Sequence, residues 1–532
     1  MKKRLYTLAL LLCALTSTAQ QHGSYVNPVL AGFYPDPSIC RVGGDYYLVT
    51  SSFAYFPGLP LFHSRDLVNW RQIGHAMDRP SQLPLNGAGV SRGLFAPTIR
   101  HHNGRFYIVC TLIDKGGNFV ITAERPEGPW SDPVWLKNVD GIDPSLFFDE
   151  DNGSAYILYN SEAPGRQPRW DGHRTIRMRS FDPARLQAGG EELLLVNGGV
   201  DTTKKPVWIE APHIYKVGEW YYLLCAEGGT AYNHSEVVFR SRSARGPYAP
   251  FAGNPILTQR HLDPARPHPI TTAGHADLVQ TPEGSWYAVF LGCRPYQGNH
   301  FNTGRETFLA PVRWENRWPL ITKDTETVRY RYPLPLPLAA TRPHTPFGGN
   351  FSFHDAFDGP KLQARYAFLR TPLRTWHRLE NGRLSLQARA ETVGGTGNPS
   401  FVGHRQQHLQ CTASTIVDFK AAGAHEKAGL IIFQNEEHYY FLCRSVEQGR
   451  PVAQLYRSAP GDSMELLRTQ QLRAPHRPTG LRIEARGSAY IFSITDGGRR
   501  TVLGSLDASF LSTETAGGFV GSLFGLYATA QG

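Results

Sequence analysis

Residues 36–49 read DPSICRVGGDYYLV, and the same cadence returns four more times: APTIRHHNGRFYIV from Ala96, DPSLFFDEDNGSAYIL from Asp143, EAPHIYKVGEWYYLL from Glu210 and HADLVQTPEGSWYAV from His275. Each copy opens on a short head, usually containing Asp, Glu or Pro, and runs through a strand-like stretch. It then turns at a glycine (Gly44, Gly104, Gly153, Gly218 or Gly284) and enters an aromatic run. Apolar runs such as Trp220-Tyr221-Tyr222-Leu223-Leu224 suit strands rather than helices. The spacing, roughly 50–65 residues, is that of a propeller blade. Five such units closed in a ring predict an all-β chain built on a five-bladed β-propeller. A series of hairpins in one large sandwich would also supply the turns, but gives no reason for one head motif to recur before each of them.

Outward from the repeats the character of the chain changes twice. Residues 1–19 carry Lys2, Lys3 and Arg4, an apolar run from Leu8 to Leu15, then the small residues Ser17 and Ala19, the pattern of a cleaved signal peptide. The apolar run is too short for a permanent membrane span, so export to the periplasm or medium is expected. Cys13 follows Leu12, where a lipoprotein signal carries a small residue, so lipid anchoring is not expected. On the other side, the propeller is expected over residues 25–330, and the stretch 331–349 (RYPLPLPLAATRPHTPFGG) reads as a proline-rich linker. From residue 350 to 532 a different set of alternating strands (LSLQAR, STIVDFK, AGLIIFQN, HYYFLCRS, TGLRIEAR, AYIFSIT) predicts one β-sandwich.

Composition agrees and excludes some functions. Aromatic residues make up 12% and charged residues only 19% of the 532, a profile of Gly- and Pro-punctuated strands rather than helical bundles. The formal charge of +10 falls to +7 without the three leader cations, and the basic residues are scattered, which leaves no nucleic-acid interface. A positive surface suits a substrate carrying some uronic acid. Beyond the leader stand Cys40, Cys110, Cys225, Cys293, Cys411 and Cys443, mostly inside apolar strands and with no zinc-type spacing.

In a propeller the first strand of every blade lines the central channel, so residues at the same end of these strands converge. The heads bring Asp36, Asp143, Glu210 and His275 to that end, with Phe95 and Pro97 from the second unit. Three acids and a histidine at one point are costly unless something uses them. Bland readings stand beside this one: an Asp in DPS caps a turn, Glu210 is a buried ion-pair partner, and His275 is a core histidine. Likewise Arg305 pairs with Glu306 or another acid, and Phe53 and Phe95 are core rings. Two carboxyl groups facing each other across a channel are the equipment for inverting hydrolysis of a glycosidic bond. One, ionised, takes a proton from water and the other, protonated, gives one to the leaving oxygen, with about 6.5–9.5 Å between them for the water. A third carboxylate can raise the acid's pKa and orient it.

The ordered motifs FYPDPSICRVGGDYYLV, SSFAYFPGLPLFHSRDLVNW, FAPTIRHHNG, GIDPSLFF, WIEAPHIY, GHADLVQT and GRETFLAPVRW resemble glycoside hydrolase family 43. NPSFVGHRQQH and AGLIIFQNEEHYYFL are similar to the C-terminal concanavalin-like (jelly-roll) sandwich of its β-xylosidase and α-L-arabinofuranosidase branch. The resemblance runs from about Tyr25 to the end. It implies Asp36 as general base, Asp143 as the orienting and pKa-modulating carboxylate, and Glu210 as general acid. It further implies His275 as the axial histidine, Arg305 as a contact to sugar hydroxyls, and Phe53 and Phe95 as walls of the sugar pocket. Relatives often carry Trp at the Phe95 position. Asn233 and His234 are further candidates to face the sugar. The implied activity is exo-acting release of xylose and/or arabinofuranose from xylan-derived oligosaccharides or arabinoxylan. No cofactor is required, although the resemblance allows a structural calcium ion near the axis with His275 in its shell. A non-catalytic carbohydrate-binding propeller would be expected to lack one of the acids, and none is lacking. An endo-acting arabinan hydrolase would need an open groove, whereas the sandwich is expected to close the mouth. The SxDxGxTW repeats of sialidase-type propellers are absent.

Overall fold

The computed structural model describes residues 23–530. The expected signal peptide, residues 1–19, lies outside them. Five antiparallel sheets follow one another along the chain, each made of consecutive strands. Blade 1 takes Ser38–Val42, Asp45–Val49, Gly58–Ser64 and Arg71–Met77. Blades 2 to 5 begin at Thr98, Ile142, Glu210 and Thr271, so each predicted head sits at or just before the first strand of its blade. The hairpins form where the sequence supplies the right turn. His102 pairs with Arg105 around Asn103-Gly104, whose φ values of 49° and 73° are the left-handed pair that a two-residue turn of this hand needs.

What makes the ring close is the packing between blades. Five apolar clusters each draw on two neighbours: Val49 and Leu61 meet Ile99 and Ile108 between blades 1 and 2, and Tyr46, Leu48 and Phe62 meet Val279, Val289 and Leu309 between blades 1 and 5. The other three join blades 2 and 3, 3 and 4, and 4 and 5. No strand is exchanged to seal the ring among the described residues; instead the Asn27 side chain donates to Leu309 O (2.8 Å) and accepts from Leu309 N (3.0 Å) on blade 5. All six described cysteines are free, and all but Cys411 are buried.

The proline-rich stretch is not a loose tether. Arg331–Pro333 pairs with Ser24–Val26, Ala339 N donates to Asp66 (2.9 Å), and Phe347 is buried against Tyr34 and Phe62. Its prolines interrupt regular structure as expected, but apolar side chains between them bind it to the rim of blade 1.

The second domain stacks an eight-stranded sheet on a four-stranded one. One face of the larger sheet (Leu430, Ile432, Leu442) packs on Leu481, Ile483 and Phe492 of the smaller. Its other face (Phe401, Ile431, Phe433, Phe441) packs on Phe33, Phe53 and Tyr55 of the propeller. The edge strand of that sheet, Tyr55–Phe56, belongs to the propeller and pairs with Phe368 and Leu369. The two domains therefore share both a sheet and a core.

Candidate active site

The heads of blades 3, 4 and 5 share a backbone device. Pairing with the second strand slips between Ile142 and Ser145, between Glu210 and His213, and twice between Thr271 and Asp277. At these bulges Asp143, Ala211 and His275 take φ values of 52°, 49° and 55°, and Asp36 ahead of blade 1 takes 53°. Prolines 37, 144 and 212, which have no N–H to pair, sit beside the irregularities. A left-handed non-glycine residue costs about 1–3 kcal/mol. Here the cost turns the side chains out of the pleat and toward the axis.

Asp36, Asp143, Glu210, His275 and Arg305 are all brought together, each less than a tenth exposed. Their environments differ sharply. Arg305 Nη1 donates to Asp36 Oδ1 (2.7 Å), Ser51 Oγ donates to Oδ2 (2.5 Å), and His275 Nδ1 stands 3.9 Å from Oδ1. Burial pushes Asp36 up, but Arg305, then His275 and Ser51, outweigh it and hold the carboxyl below its usual range. Asp143 accepts from Ala211 N, and burial together with the charge of Asp36 raises it to about 7. Glu210 is raised well above the ordinary carboxylate range, first by burial and then by Asp143 and Asp36. Among the described residues no side-chain partner ties down Glu210. The site thus holds one carboxylate kept ionised by a guanidinium and one carboxylic acid kept protonated by its surroundings. Environments that push two carboxyl pKa values apart are what separates a proton acceptor from a proton donor.

Arg305 answers one open reading: it pairs with Asp36, while its neighbour Glu306 is held by Arg294 at 2.6 Å. The aromatic wall is differently built from the expectation. Phe53 is only 2% exposed and lies between Phe33 and Phe519, 5.8 and 5.9 Å away, so it backs the wall rather than forming its open surface. Phe95 is half-buried, and Phe519 of the sandwich, also half-buried, meets it edge-on at 5.9 Å. The Arg305 guanidinium stands 5.8 Å from the rings of both Phe53 and Phe519. Sequence reading missed Phe519; its only local signal is the Gly517-Gly518 pair before it, with Ser91 Oγ accepting from its N–H (2.9 Å).

His234 lies buried within the field of Asp36 and His275, pushed down to about 3 chiefly by burial and hence neutral. Its ring occupies the space where a side chain on Gly274 would begin, 2.4 Å from that Cβ position, which is why residue 274 is glycine. Asn233 does not join the acids: it lines a neighbouring cavity of about 470 Å³ with Val207, Lys205 and Arg260. Elsewhere in the channel, Asp277 accepts from Arg100 (2.8 Å), Ser38 Oγ (2.6 Å) and Tyr215 OH (2.5 Å), a network joining blades 1, 2, 4 and 5. These residues stood inside the repeat motifs without being singled out. A calcium ion takes six to eight oxygen ligands, and the surroundings of His275 do not fit one. Among the described residues no group of three or more His, Cys, Asp or Glu is placed to hold a metal, and Arg305 already supplies the positive charge beside Asp36.

The chain has matches among known sequences. Residues 25–319 match the profile of glycosyl hydrolases family 43, and residues 354–532 that of the β-xylosidase C-terminal concanavalin A-like domain. The chain belongs to glycosyl hydrolase family 43. It is 38% identical over 528 residues to a non-reducing end α-L-arabinofuranosidase of Bacteroides ovatus, covering 98% of this chain and 93% of that one. A xylosidase/arabinosidase of Butyrivibrio fibrisolvens is 38% identical over 513 residues, covering 95% and 96%. Among solved structures, a GH43_12 protein retrieved from a capybara gut metagenome superposes with a TM-score of 0.87 at 40% identity, covering 95% of each chain. The family 43 chain is therefore a glycosidase of an inverting family, and its chemistry needs no cofactor.

Proposed function

We propose that the protein releases single xylose and/or arabinofuranose units from the non-reducing ends or side chains of xylan-derived oligosaccharides and arabinoxylan. Asp36 is the base: ionised by its contact with Arg305, it draws a proton from the water that attacks the anomeric carbon. Glu210 is the acid: it gives its proton to the departing glycosidic oxygen, and the configuration inverts in one displacement. Asp143 holds Glu210's proton in place. Its negative charge opposes ionisation of Glu210. Arg305 both keeps Asp36 ionised and presents an unpartnered Nε to the site. Phe519 and Phe95 narrow the mouth to a pocket, which supports exo action. The names of the relatives support the pentose class, and the leader supports export of the mature enzyme to the periplasm or medium.

The observation that carries this reading is the opposite treatment of Asp36 and Glu210 within one buried site. Glu210→Ala tests it. Activity on xylobiose or an arabinosylated xylo-oligosaccharide should fall by about 10²–10⁴-fold, the usual share of a general acid. An aryl pentoside, whose leaving group needs little protonation, should lose far less. Equal losses on both substrates would remove Glu210 from the acid's role.

A further inference from the structure

Two residues before Glu210 the chain holds an unusual aromatic residue. Trp208 has φ of 52°, a conformation that bulky side chains avoid, and is nonetheless 37% exposed. Strain of this kind persists where the surroundings over-determine it, and here they do. Trp208 N donates to Gly172 O (2.9 Å), and Gly228 N donates to Val207 O (2.8 Å), so loops of blades 3 and 4 grip the segment from both sides. One face of the indole carries the guanidinium of Arg174, 4.6 Å from the ring centroid. Arg174 is itself fixed: Nε and Nη2 donate to Asn160 Oδ1 (3.0 and 2.7 Å), and Asn160 Nδ2 donates to Ile209 O (2.5 Å), next to Glu210. Its charge is felt by both Glu210 and Asp143, while its Nη1 meets no protein acceptor among the described residues.

An exposed indole held rigidly in a strained backbone, with a free donor beside it, contributes little to the core. Its place gives it a use. Glu210 hands its proton to the leaving oxygen, so the leaving sugar must lie on Glu210's side of the broken bond; Trp208 stands two residues from Glu210 along the chain, and the charge of Arg174 reaches the Glu210 carboxyl. A flat aromatic face receives the C–H face of a pyranose, and an adjacent N–H donor receives one of its hydroxyls. Resting on the reading of Glu210 as acid, we propose that Trp208 and Arg174 form the subsite for the leaving sugar, shaped for a xylopyranose ring of the xylan chain. The pocket at Asp36 then holds the sugar that is released, and Trp208 selects what it is released from.

A pair of substrates separates the two halves of the site. Xylobiose has a leaving sugar, whereas β-xylosyl fluoride has the same pentose and no ring to leave. If the enzyme prefers arabinofuranose, an arabinofuranosyl xylotriose and α-L-arabinofuranosyl fluoride form the matched pair. The quantity to follow is the ratio of kcat/KM on the glycoside to kcat/KM on the fluoride. In Trp208→Ala this ratio should fall about five- to tenfold, the worth of one stacked ring, and Trp208→Phe should recover part of it. Trp208→Leu, which keeps apolar bulk without a π face, should lower the ratio too and serves if the alanine variant does not fold. An unchanged ratio in both Ala and Leu variants overturns the subsite, whether or not the individual rates drop. A wild-type enzyme that cleaves the fluorides but neither glycoside overturns the acid at Glu210 and the subsite with it, and one that cleaves no member of either pair overturns the pentosidase reading on which both rest.

Discussion

Asp36 and Glu210 are both buried carboxyl groups, and the largest difference between them is a guanidinium in contact with only one. Arg305 reaches Asp36 at 2.7 Å and holds it ionised; Glu210 receives no such contact and sits in the field of two other acids. The third acid gives a test with a definite sign. A negative neighbour raises the pKa of an acid, so Asp143→Asn should lower that of Glu210. The alkaline limb of the kcat/KM profile should then move to lower pH, with activity at neutral pH falling, and a profile recorded from acid to alkaline pH would show it. A limb that stays in place would separate Asp143 from Glu210's proton. These three acids were legible because each opens a copy of one repeat, and a repeat in a ring has a common inner end. Arg305 was ambiguous because Glu306 stands next to it. Arg305 ends the loop and Glu306 opens the strand that follows it, and the two side chains part, Arg305 to Asp36 and Glu306 to Arg294. Phe519 had no comparable signal, since its partners Phe53 and Phe95 lie more than 400 positions away along the chain.

At the scale of the element, the strands of the second domain show why a pattern can be right and incomplete. Ala428–Asn435 (AGLIIFQN) reads as a strand, yet its apolar run is nearly continuous where a half-exposed strand would alternate. The reason is visible in the packing: Leu430 and Ile432 face the smaller sheet while Ile431 and Phe433 face the propeller. A strand covered on both faces needs no polar side. The loop that carries Arg305 depends on the same junction. Gly304 has φ of 72°, and a Cβ there would lie 2.9 Å from Gly521 Cα of the sandwich. Gly304→Ala should therefore cost about 1–3 kcal/mol and displace Arg305 as well. A lowered Tm by calorimetry together with a loss of kcat/KM larger than residual folding explains is the expected pair of results. Full activity in a folded variant would show that the Arg305 loop does not rely on this backbone contact.

As a whole molecule, the enzyme is a propeller that does not finish its own pocket. Five inter-blade cores make the ring, but the rim above blade 1 is completed by the sandwich. Arg370, fully buried, donates to Ala88 O (2.6 Å) and pairs with Glu436, whose carboxylate also accepts from Val90 N (2.8 Å). The loop so held leads directly to Phe95. The sandwich then adds Phe519 to the wall. Phe519→Ala should lower kcat/KM about tenfold by loosening the pocket while leaving Tm nearly unchanged, because the ring is half-exposed. A large fall in Tm with little kinetic effect would make Phe519 a packing residue instead.

The central claim is that water attacks from the side of Asp36 while Glu210 protonates the opposite side, in one step. Proton NMR of the first-formed sugar, recorded before mutarotation, reads this directly. Hydrolysis of a β-xyloside should release α-xylose first, or of an α-L-arabinofuranoside the β-anomer. First appearance of the anomer with retained configuration would contradict the account, since that outcome requires a covalent intermediate that leaves no place for the water between the two acids.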